Sequence, residues 1–280
     1  MAAFLMRLAA AMPLLVMYAA GGAAGWLMYL ASPRYRAHLN GNLAAAGYGA
    51  DKAVRNDAIA SAGRLLTELP GLWLRPHEKV ASLVREVTGW ERVSDAQAAG
   101  RGIVFLTPHL GCFEISAQYG AFHFPMTIMY RAPKLGWLEP FMLKGRARRG
   151  VKLATADRSG VRELLGALKR HEAIGILPDQ VPGQGEGEWA EFFGKPAYTM
   201  TLAPRLAARD NVVCLVAFAR RLPWGRGYSL SIRDLADARP GESEVRRLNR
   251  SLEDLIRECP GQYLWGYNRH KTPAGTAGPP

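Results

Sequence analysis

Four short apolar runs in the middle of the chain alternate with segments of helical spacing. The runs are GIVFLT (102–107), MTIMYR (126–131), AIGILPDQ (173–180) and NVVCLVAFAR (211–220), and they have the length and the β-branched or aromatic content of buried strands. Helical spacing recurs at 113–121, 137–149, 161–170 and 242–257, and YSLSIRDL (228–235) adds a strand with in–out alternation. This order predicts an α/β fold with a mostly parallel central sheet flanked by helices.

The N-terminal pattern is different. Residues 8–31 contain no formally charged side chain, and as one helix they would extend about 36 Å, against a hydrocarbon core of about 30 Å. Trp26, Tyr29 and Tyr35 lie near the end of this segment, as aromatic residues do at a membrane interface. We therefore predict a membrane-anchoring helix in residues 1–34. A cleaved signal peptide and a buried core helix stay open as alternatives.

The remaining boundaries follow from charge and composition. Only Arg7 and the terminal amine precede the apolar segment, whereas Arg34, Arg36, Lys52 and Arg55 follow it. The positive-inside tendency then predicts a cytoplasmic domain in residues 35–271. The closing TPAGTAGPP, in residues 272–280, has the composition of a disordered tail.

The net charge of +12 and the pI near 9.9 predict an acidic partner. Nucleic acid, anionic lipid, a phosphorylated substrate and an acidic carrier protein all fit that charge. The sequence has no zinc-finger, helix-turn-helix or aromatic RNA-binding motif, so we predict no nucleic-acid partner. The three cysteines form no CxxC pair, and their odd number indicates a reducing compartment without a disulfide framework.

Polar residues of complementary type follow three of the predicted strands. His109 comes after the first, Arg131 ends the second and Asp179 lies at the end of the third. Ligands of open parallel α/β sheets bind beyond the carboxyl ends of the strands. We therefore expect these residues to lie at one site.

His109 and Glu114, in TPHLGCFE, form the candidate catalytic pair. If His109 lies in a turn and a helix begins near Gly111, a carboxylate in the first helical turns can reach back to the imidazole. Such a carboxylate would orient His109 as a general base for a hydroxyl group. The Gly111 amide could bind an oxyanion. On spacing alone, a capped turn with a core histidine is the commoner case, because a lone HxxxxE is a weak signal.

Two other chemistries also involve His109. Cys112 could act as a nucleophile paired with it, although a small apolar cysteine in a helical turn is the commoner case. His109, Glu114 and Asp179 could bind a metal ion, but no HExxH or second histidine at ligand spacing supports that, and we predict neither a metal ion nor another cofactor. A serine elbow is absent, because Ser159 in DRSGV lacks the first glycine of GxSxG.

An ordered set of motifs resembles the late acyltransferases of lipid A biosynthesis, the lauroyl and myristoyl transferases of the lysophospholipid acyltransferase superfamily. The set comprises the apolar N-terminus, TPHLGCFE as the H-x4-(D/E) box, YRAP, GRARRG, GVRELLGALKRHEAIGILPDQ, FFGKPAYTM and QYLWGYNRHK. One box alone would be weak, but the ordered set covers nearly the whole chain. The resemblance favours a catalytic role for His109 and Glu114.

The resemblance implies transfer of a fatty acyl group from acyl carrier protein to a hydroxyl of a lipid A precursor at the bacterial inner membrane. His109 would be the base and Glu114 its orienting acid, with no acyl-enzyme required. Arg131, Asp179, Lys195 and Thr199 match positions expected to contact substrate.

The basic segment KGRARRGVK (144–152) suits contact with a phosphorylated saccharide or an acidic carrier, and Arg146 and Arg149 are the chosen contacts. The family often has histidine where this chain has Tyr267. Acylation of another lipid, such as a lysophospholipid, an aminolipid or a glycolipid, is the alternative function.

Overall fold

The computed structural model describes residues 2–133, 136–148 and 150–279, with side chains from Phe4 onward. The helices are α1 (Ala2–Ala11), α2 (Leu14–Ala31), α3 (Pro33–Ala45), α4 (Lys52–Leu74), α5 (His77–Ala81), α6 (Trp90–Ala98), α7 (Phe113–His123), α8 (Glu139–Arg146), α9 (Arg158–Lys169), α10 (Leu202–Ala207) and α11 (Glu244–Glu258). The strands are β1 (Val84–Thr88), β2 (Gly102–Leu106), β3 (Met126–Tyr130), β4 (Lys152–Thr155), β5 (Ala173–Ile176), β6 (Gly187–Phe192), β7 (Lys195–Met200), β8 (Val212–Arg221) and β9 (Tyr228–Asp234).

The central sheet has seven strands in the order β1-β9-β8-β2-β5-β3-β4. The strands from β8 to β4 are mutually parallel, whereas β9 pairs antiparallel with β8 and β1 pairs parallel with β9. The predicted α/β fold, with a mostly parallel sheet, is confirmed. A separate antiparallel hairpin consists of β6 and β7.

Two apolar layers cover the faces of the sheet, as the alternation of side chains along a strand requires. On β2, Val104 and Leu106 belong to one layer, which α9 and α11 complete. Ile103 and Phe105 belong to the other layer, together with residues of α6 and α7. Because both faces are covered, the strands read as continuous apolar runs, which is the pattern from which they were predicted.

The strands that the sequence pattern missed are β1, β4, β6 and β7. The first two lie at the edges of the sheet, where alternating charged residues such as Arg85 and Glu86 face solvent. The hairpin contains GEWAEF and KPAYTM, whose polar residues and proline resemble a loop. Edge strands need only one apolar face, so their sequence signal is weak.

The N-terminal apolar segment forms two helices rather than the single helix expected over residues 8–31. The break lies at Pro13, which has an extended ψ of 145° and no N–H group with which to continue the first helix. Pro70 and Gly71 lie inside α4, which continues to Leu74. Within the described residues, α2 is the one helix long and apolar enough to cross a membrane.

The α2 helix packs along α4 through glycines. A Cβ atom on Gly63 of α4 would overlap the backbone of Gly21 and Gly25 in α2, so these helices approach as closely as backbones can. Thr67 Oγ1 donates to the Met17 carbonyl oxygen at 2.9 Å, and the Arg64 guanidinium lies over the Tyr18 ring. Close backbone contact between small residues is a common way to join apolar helices.

The tail, predicted to be disordered, contacts the loop that precedes β6. Gln184 Nε2 donates to the Gly275 carbonyl oxygen at 2.7 Å, and Trp189 Nε1 donates to that of Ala277 at 3.0 Å. Pro280 lies outside the described residues.

The glycine contact makes Gly63 a critical position. We expect Gly63→Leu to lower the free energy of unfolding by about 1–3 kcal/mol, because the new side chain must push α2 away from α4. Gly41→Ala is the control, since Gly41 has open space around it and alanine favours a helix by about 0.5–1 kcal/mol. Thermal unfolding in detergent solution measures both changes, and equal melting temperatures for the two variants would contradict the close packing.

Candidate active site

The carboxyl ends of β2 and β5 define the site. Leu106 pairs with Ile176, and the Thr107 amide donates to the Ile176 carbonyl oxygen at 3.0 Å, so the two strands end in register. His109 and Asp179 each lie three residues beyond those ends. Asp179 Oδ1 is 2.8 Å from His109 Nδ1, and Asp179 Oδ2 accepts from the His109 backbone amide at 2.9 Å. Parallel pairing therefore brings together residues that are 70 positions apart.

The neighbours of His109 determine which ring nitrogen has the proton. Gln180 Nε2 lies 3.1 Å from His109 Nε2. An amide nitrogen can only donate, so the ring Nε2 accepts, and the proton is on Nδ1, which donates to Asp179. This tautomer leaves Nε2 as the basic nitrogen, and the His109 side chain is 13% exposed. His109 is therefore ready to take a proton from a bound group.

Asp179 is almost completely buried, at 2% exposure. Burial alone would raise the pKa of its carboxyl group, but the charge and hydrogen bonds of His109 outweigh burial, and the pKa is lowered. The buried Arg269 guanidinium contributes to the lowering. The ionised carboxylate can then stabilise an imidazolium on His109.

The predicted hydrogen bond between Glu114 and His109 is not formed. Glu114 lies in the first turn of α7, as expected, but it faces α4 and α8. Its Oε1 accepts from Trp73 Nε1 at 2.8 Å, and its Oε2 accepts from Arg146 Nη2 at 2.6 Å. The acid that contacts the imidazole is Asp179, which the sequence analysis had assigned to substrate contact.

The turn between His109 and Glu114 explains why the Glu114 side chain does not reach the imidazole. Gly111 has a φ of +59°, and Cys112, with φ −98° and ψ 78°, then precedes the first residue of α7. The Gly111 amide donates to the Gln262 carbonyl oxygen at 3.0 Å, and a Cβ atom at this position would overlap the Ala219 carbonyl oxygen. The amide predicted to bind an oxyanion is therefore already used, and the requirement for glycine here is steric.

Arg146 is bonded to Glu114 rather than free for a substrate. Its Nε atom lies 3.0 Å from Oε1 and 3.1 Å from Oε2, and its Nη1 contacts Met142 Sδ. Burial would raise the Glu114 pKa, but the charge and hydrogen bonds of Arg146, with that of Trp73, lower it. The ion pair joins α7, α8 and α4.

An apolar cavity begins beside His109 and extends between α7 and the sheet. The Phe113 ring, whose centroid is 4.8 Å from that of His109, is part of its lining. The cavity has about 510 Å³ of atom-free space, part of it open to solvent. Its other lining residues are Trp90, Phe105, Thr107, Ser116, Ala117, Gly120, Phe124, Met126, Ile128, Gly175, Ile176, Leu177, Ala217, Leu230 and Ile232. One face of α7 therefore lines this cavity, and another face bears Glu114, which pairs with Arg146.

A second cleft lies at the carboxyl ends of β3 and β4, where Arg131 and Asp157 follow the strands. Arg131 lines it together with Arg158 and Arg205, whereas His109 and Asp179 do not, so Arg131 does not lie at one site with that pair, contrary to the expectation from the sequence. None of these arginines has an ion-pair or side-chain hydrogen-bond partner within the described ranges. The carboxylates in the cleft, Asp157 and Glu186, accept hydrogen bonds from the backbone amides of Gly160 and Gly183. The cleft therefore presents free positive charge.

Other predicted contacts lie elsewhere. Thr199 is fully buried, where its hydroxyl contacts Arg269 Nη2 at 2.5 Å and Asn249, so it supports the packing of the closing segment. Lys195 is exposed at the far end of β7 from the cleft, about 17 Å away along an extended strand. Arg149 lies outside the described residues.

The structure shows the surroundings of Tyr267 and Cys112, whose roles the sequence left open. The Tyr267 hydroxyl accepts a hydrogen bond from the Val181 amide at 3.0 Å, so it fixes the loop that follows Asp179 and Gln180. Cys112 is completely buried, and burial raises the pKa of its thiol well above the ordinary value. A neutral, enclosed thiol does not fit the alternative in which Cys112 is the nucleophile.

Gln180, Arg158 and Arg205 were not predicted as site residues. Gln180 follows Asp179 directly, so a strand-end argument extended by one position would have included it. Arg158 and Arg205 reach the cleft from the first turn of α9 and from α10. Their positions depend on tertiary packing, which no local pattern reports.

Comparisons with known proteins give a consistent result. A family model described as bacterial lipid A biosynthesis acyltransferase matches residues 1–272. The lipid A biosynthesis lauroyltransferase of Escherichia coli is 30% identical over 219 residues, which cover 76% of this chain and 70% of that protein. The palmitoleoyltransferase of the same organism is 28% identical over 216 residues, covering 76% of this chain and 69% of that protein. A lipid A biosynthesis acyltransferase of Haemophilus influenzae is 28% identical over 189 residues, which cover 64% of this chain and 57% of that protein.

The buried ion pair leads to a prediction for stability. We expect Glu114→Gln to lower the free energy of unfolding by about 3 kcal/mol at neutral pH, because Arg146 loses its counter-charge. Since the folded-state pKa of Glu114 is depressed, the pair stabilises the fold above the unfolded value of about 4.3. This stability is lost as the pH falls through the folded-state pKa.

Urea unfolding at pH 7 and at a series of lower pH values tests this expectation. The variant should lack the part of the acid destabilisation that comes from Glu114. Glu188→Gln is the control, because Glu188 is exposed on β6. Equal losses in both variants would contradict a stabilising role for the pair.

Proposed function

The chain belongs to the bacterial lipid A biosynthesis acyltransferase family and is an acyltransferase, and we propose that it transfers a fatty acyl chain from acyl carrier protein to a hydroxyl group of a lipid A precursor. The observation on which this finer assignment rests is the His109–Asp179 pair beside Phe113, whose ring contacts His109 and lines an apolar cavity. A base next to an apolar cavity suits attack of an alcohol on the thioester of a fatty acyl chain.

His109 acts as the general base in this proposal. The acceptor hydroxyl takes the place of the Gln180 amide at Nε2, gives its proton to that nitrogen, and its oxygen attacks the thioester carbonyl carbon. The tetrahedral intermediate then expels the carrier thiolate, which receives the proton from the imidazolium. Asp179 stabilises the imidazolium between these steps. The products are the ester and the free carrier thiol, and no acyl-enzyme forms.

Gln180 and Glu114 have supporting roles. The Gln180 amide, displaced from Nε2 by the substrate, remains near the reacting carbonyl and can donate a hydrogen bond to the developing oxyanion. Glu114 acts as a positioning residue, because its pair with Arg146 fixes the first turn of α7, from which Phe113 lines the cavity. It does not need to touch the imidazole for this role.

The two cavities suit the two substrates. The apolar cavity suits the acyl chain, since its lining consists almost entirely of hydrocarbon. The arginine cleft suits the anionic groups of a phosphorylated saccharide, to which guanidinium groups donate well-directed hydrogen bonds. In this proposal the thioester and the hydroxyl meet at His109.

The proposed partners and location fit the charge of the chain. A net charge of +12 suits an acidic carrier protein and an anionic membrane surface. Lys144 and Lys152, at the ends of the basic segment, are exposed and available for such contacts. We place the enzyme at the inner membrane of a Gram-negative bacterium, with the catalytic domain in the cytoplasm, where the acyl carrier is found.

The first catalytic prediction concerns the base and its acid. We expect His109→Ala and Asp179→Asn each to lower kcat by about 10²–10⁴-fold, because one removes the proton acceptor and the other removes the charge that stabilises it. The assay uses purified full-length protein, acyl carrier thioesters of several chain lengths and a purified lipid A precursor. His38→Ala, on α3, is the control. Near-normal turnover by correctly folded His109→Ala would refute the mechanism.

The second catalytic prediction concerns the arginine cleft. We expect Arg131→Ala and Arg158→Ala each to raise KM for a phosphorylated acceptor by about tenfold, with a smaller effect on kcat, since each removes a charge-assisted hydrogen bond. Arg209→Ala, an exposed arginine just beyond α10, is the matched control. An acceptor without phosphate should abolish the difference. Unchanged KM values would favour the alternative of a neutral lipid acceptor.

A further inference from the structure

Both ends of α2 contact the catalytic domain. At its start, Gly225, in the turn between β8 and β9, lies against the Leu14–Leu15 backbone, and a Cβ atom on Gly225 would be 2.7 Å from the Leu14 carbonyl carbon. Arg75, at the end of α4, donates to the carbonyl oxygens of Ala10 and Met12. At its end, Ser32 caps α3.

The α3 helix belongs to the domain itself, because Leu39 and Leu43 are buried in its core. With 18 residues, α2 is about 27 Å long, close to the thickness of a hydrocarbon core. A helix that crossed the bilayer would place one end on the opposite side, away from the domain. The contacts at both ends of α2 are incompatible with that arrangement.

The outer faces of α1 and α2 are nevertheless apolar and exposed. Phe4 is 70% exposed, Leu27 69% and Leu30 65%. The other exposed large apolar residues of these helices and their junction are Leu5, Leu8, Met12, Leu15, Val16 and Trp26. So many large apolar side chains on one pair of helices exceed what a soluble surface normally shows.

Trp224 extends this apolar surface from a different part of the chain. It is 71% exposed, at the tip of the β8–β9 turn whose next residue contacts α2. Its φ of +60° and ψ of 27° are left-handed values that a bulky residue rarely adopts. An exposed tryptophan in a strained backbone is not explained by packing, and such an outlier points to a function.

Positive charge surrounds the same surface. Arg226 and Arg85 are exposed beside the Trp224 turn, where Arg85 Nε donates to the Arg226 carbonyl oxygen at 3.2 Å. Arg7 on α1 and Arg34 on α3 are also exposed. Large apolar and aromatic groups bordered by arginine fit the interface of an anionic lipid bilayer.

We propose that α1, α2 and the Trp224 turn form one lipid-binding surface that enters a single leaflet, so that α2 lies in the membrane interface and does not cross the bilayer. The Trp224 turn is a second insertion point. It continues β8 beyond Ala219, which pairs with Gly111 next to His109. The same edge of the sheet therefore faces the lipid and contains the base, which would let a lipid acceptor reach His109 without leaving the membrane surface.

Cysteine labelling tests the topology. Arg7→Cys and Arg34→Cys place thiols on either side of α2, and each is expressed separately in Escherichia coli and compared with the unsubstituted chain. A membrane-impermeant maleimide should label neither position in intact spheroplasts and both positions in inverted inner-membrane vesicles. Labelling of either position from the periplasmic side would overturn the single-leaflet arrangement.

Vesicle binding tests the Trp224 turn. Purified full-length protein is titrated with vesicles of phosphatidylethanolamine and phosphatidylglycerol, and the bound fraction is measured by flotation. We expect Trp224→Asp to weaken partitioning by about tenfold, because an apolar aromatic contact is replaced by a charge that the anionic surface repels. Ala99→Asp is the control. It adds the same charge just before β2, at the opposite end of the strands from the Trp224 turn, and should have little effect on partitioning.

Trp224→Gly separates lipid binding from folding. Glycine adopts the left-handed conformation without strain, so the melting temperature should not fall while partitioning still weakens. Unchanged partitioning of both Trp224 variants, or an equal loss in Ala99→Asp, would overturn the role of the turn. These readouts do not require acyl transfer, so they remain informative even if the proposed substrates are wrong.

Discussion

The parallel pairing of β2 with β5 is the constraint on which the site depends. Because Leu106 and Ile176 are partners in register, the segments that leave the two strands start side by side, and three further residues in each bring His109 to Asp179. A shift of one residue in this register would reverse the faces of β5, whose four residues are all buried. The apolar layers on both faces thus fix the geometry of the His109–Asp179 pair, although none of their side chains takes part in the proposed chemistry.

The two carboxylates near the site have different physical roles. Asp179 accepts two hydrogen bonds from His109, and these bonds favour its ionised form. Glu114 is only 1% exposed, and the positive charge of Arg146 balances its negative charge. Burial of an ion pair is favourable only when hydrogen bonds satisfy both partners. Here Trp73 and three Arg146 contacts do so, which makes the junction of α4, α7 and α8 a rigid support for the cavity wall.

The sequence predicted the architecture better than it predicted the contacts. The four apolar runs became strands of the sheet, because burial on both faces leaves a pattern that is visible without a partner. The choice between Glu114 and Asp179 was different. Proximity in the chain favoured Glu114, but the left-handed backbone at Gly111 turns the following helix, and Asp179 arrives from a strand 70 positions later. Thr199 and Lys195 were misplaced for the same reason, since β6 and β7 were not foreseen as a hairpin. The break at Pro13 could have been anticipated from proline chemistry, but the packing of α2 on α4 could not.

The glycine at position 111 has a consequence for how this protein can vary. It needs both a positive φ and the absence of a Cβ atom, since any side chain would meet the Ala219 carbonyl oxygen. Even alanine, the smallest replacement, must displace β8 from the segment that contains His109. Glycine is therefore the one residue that fits this turn without moving β8, although Gly111 takes no part in the proposed chemistry.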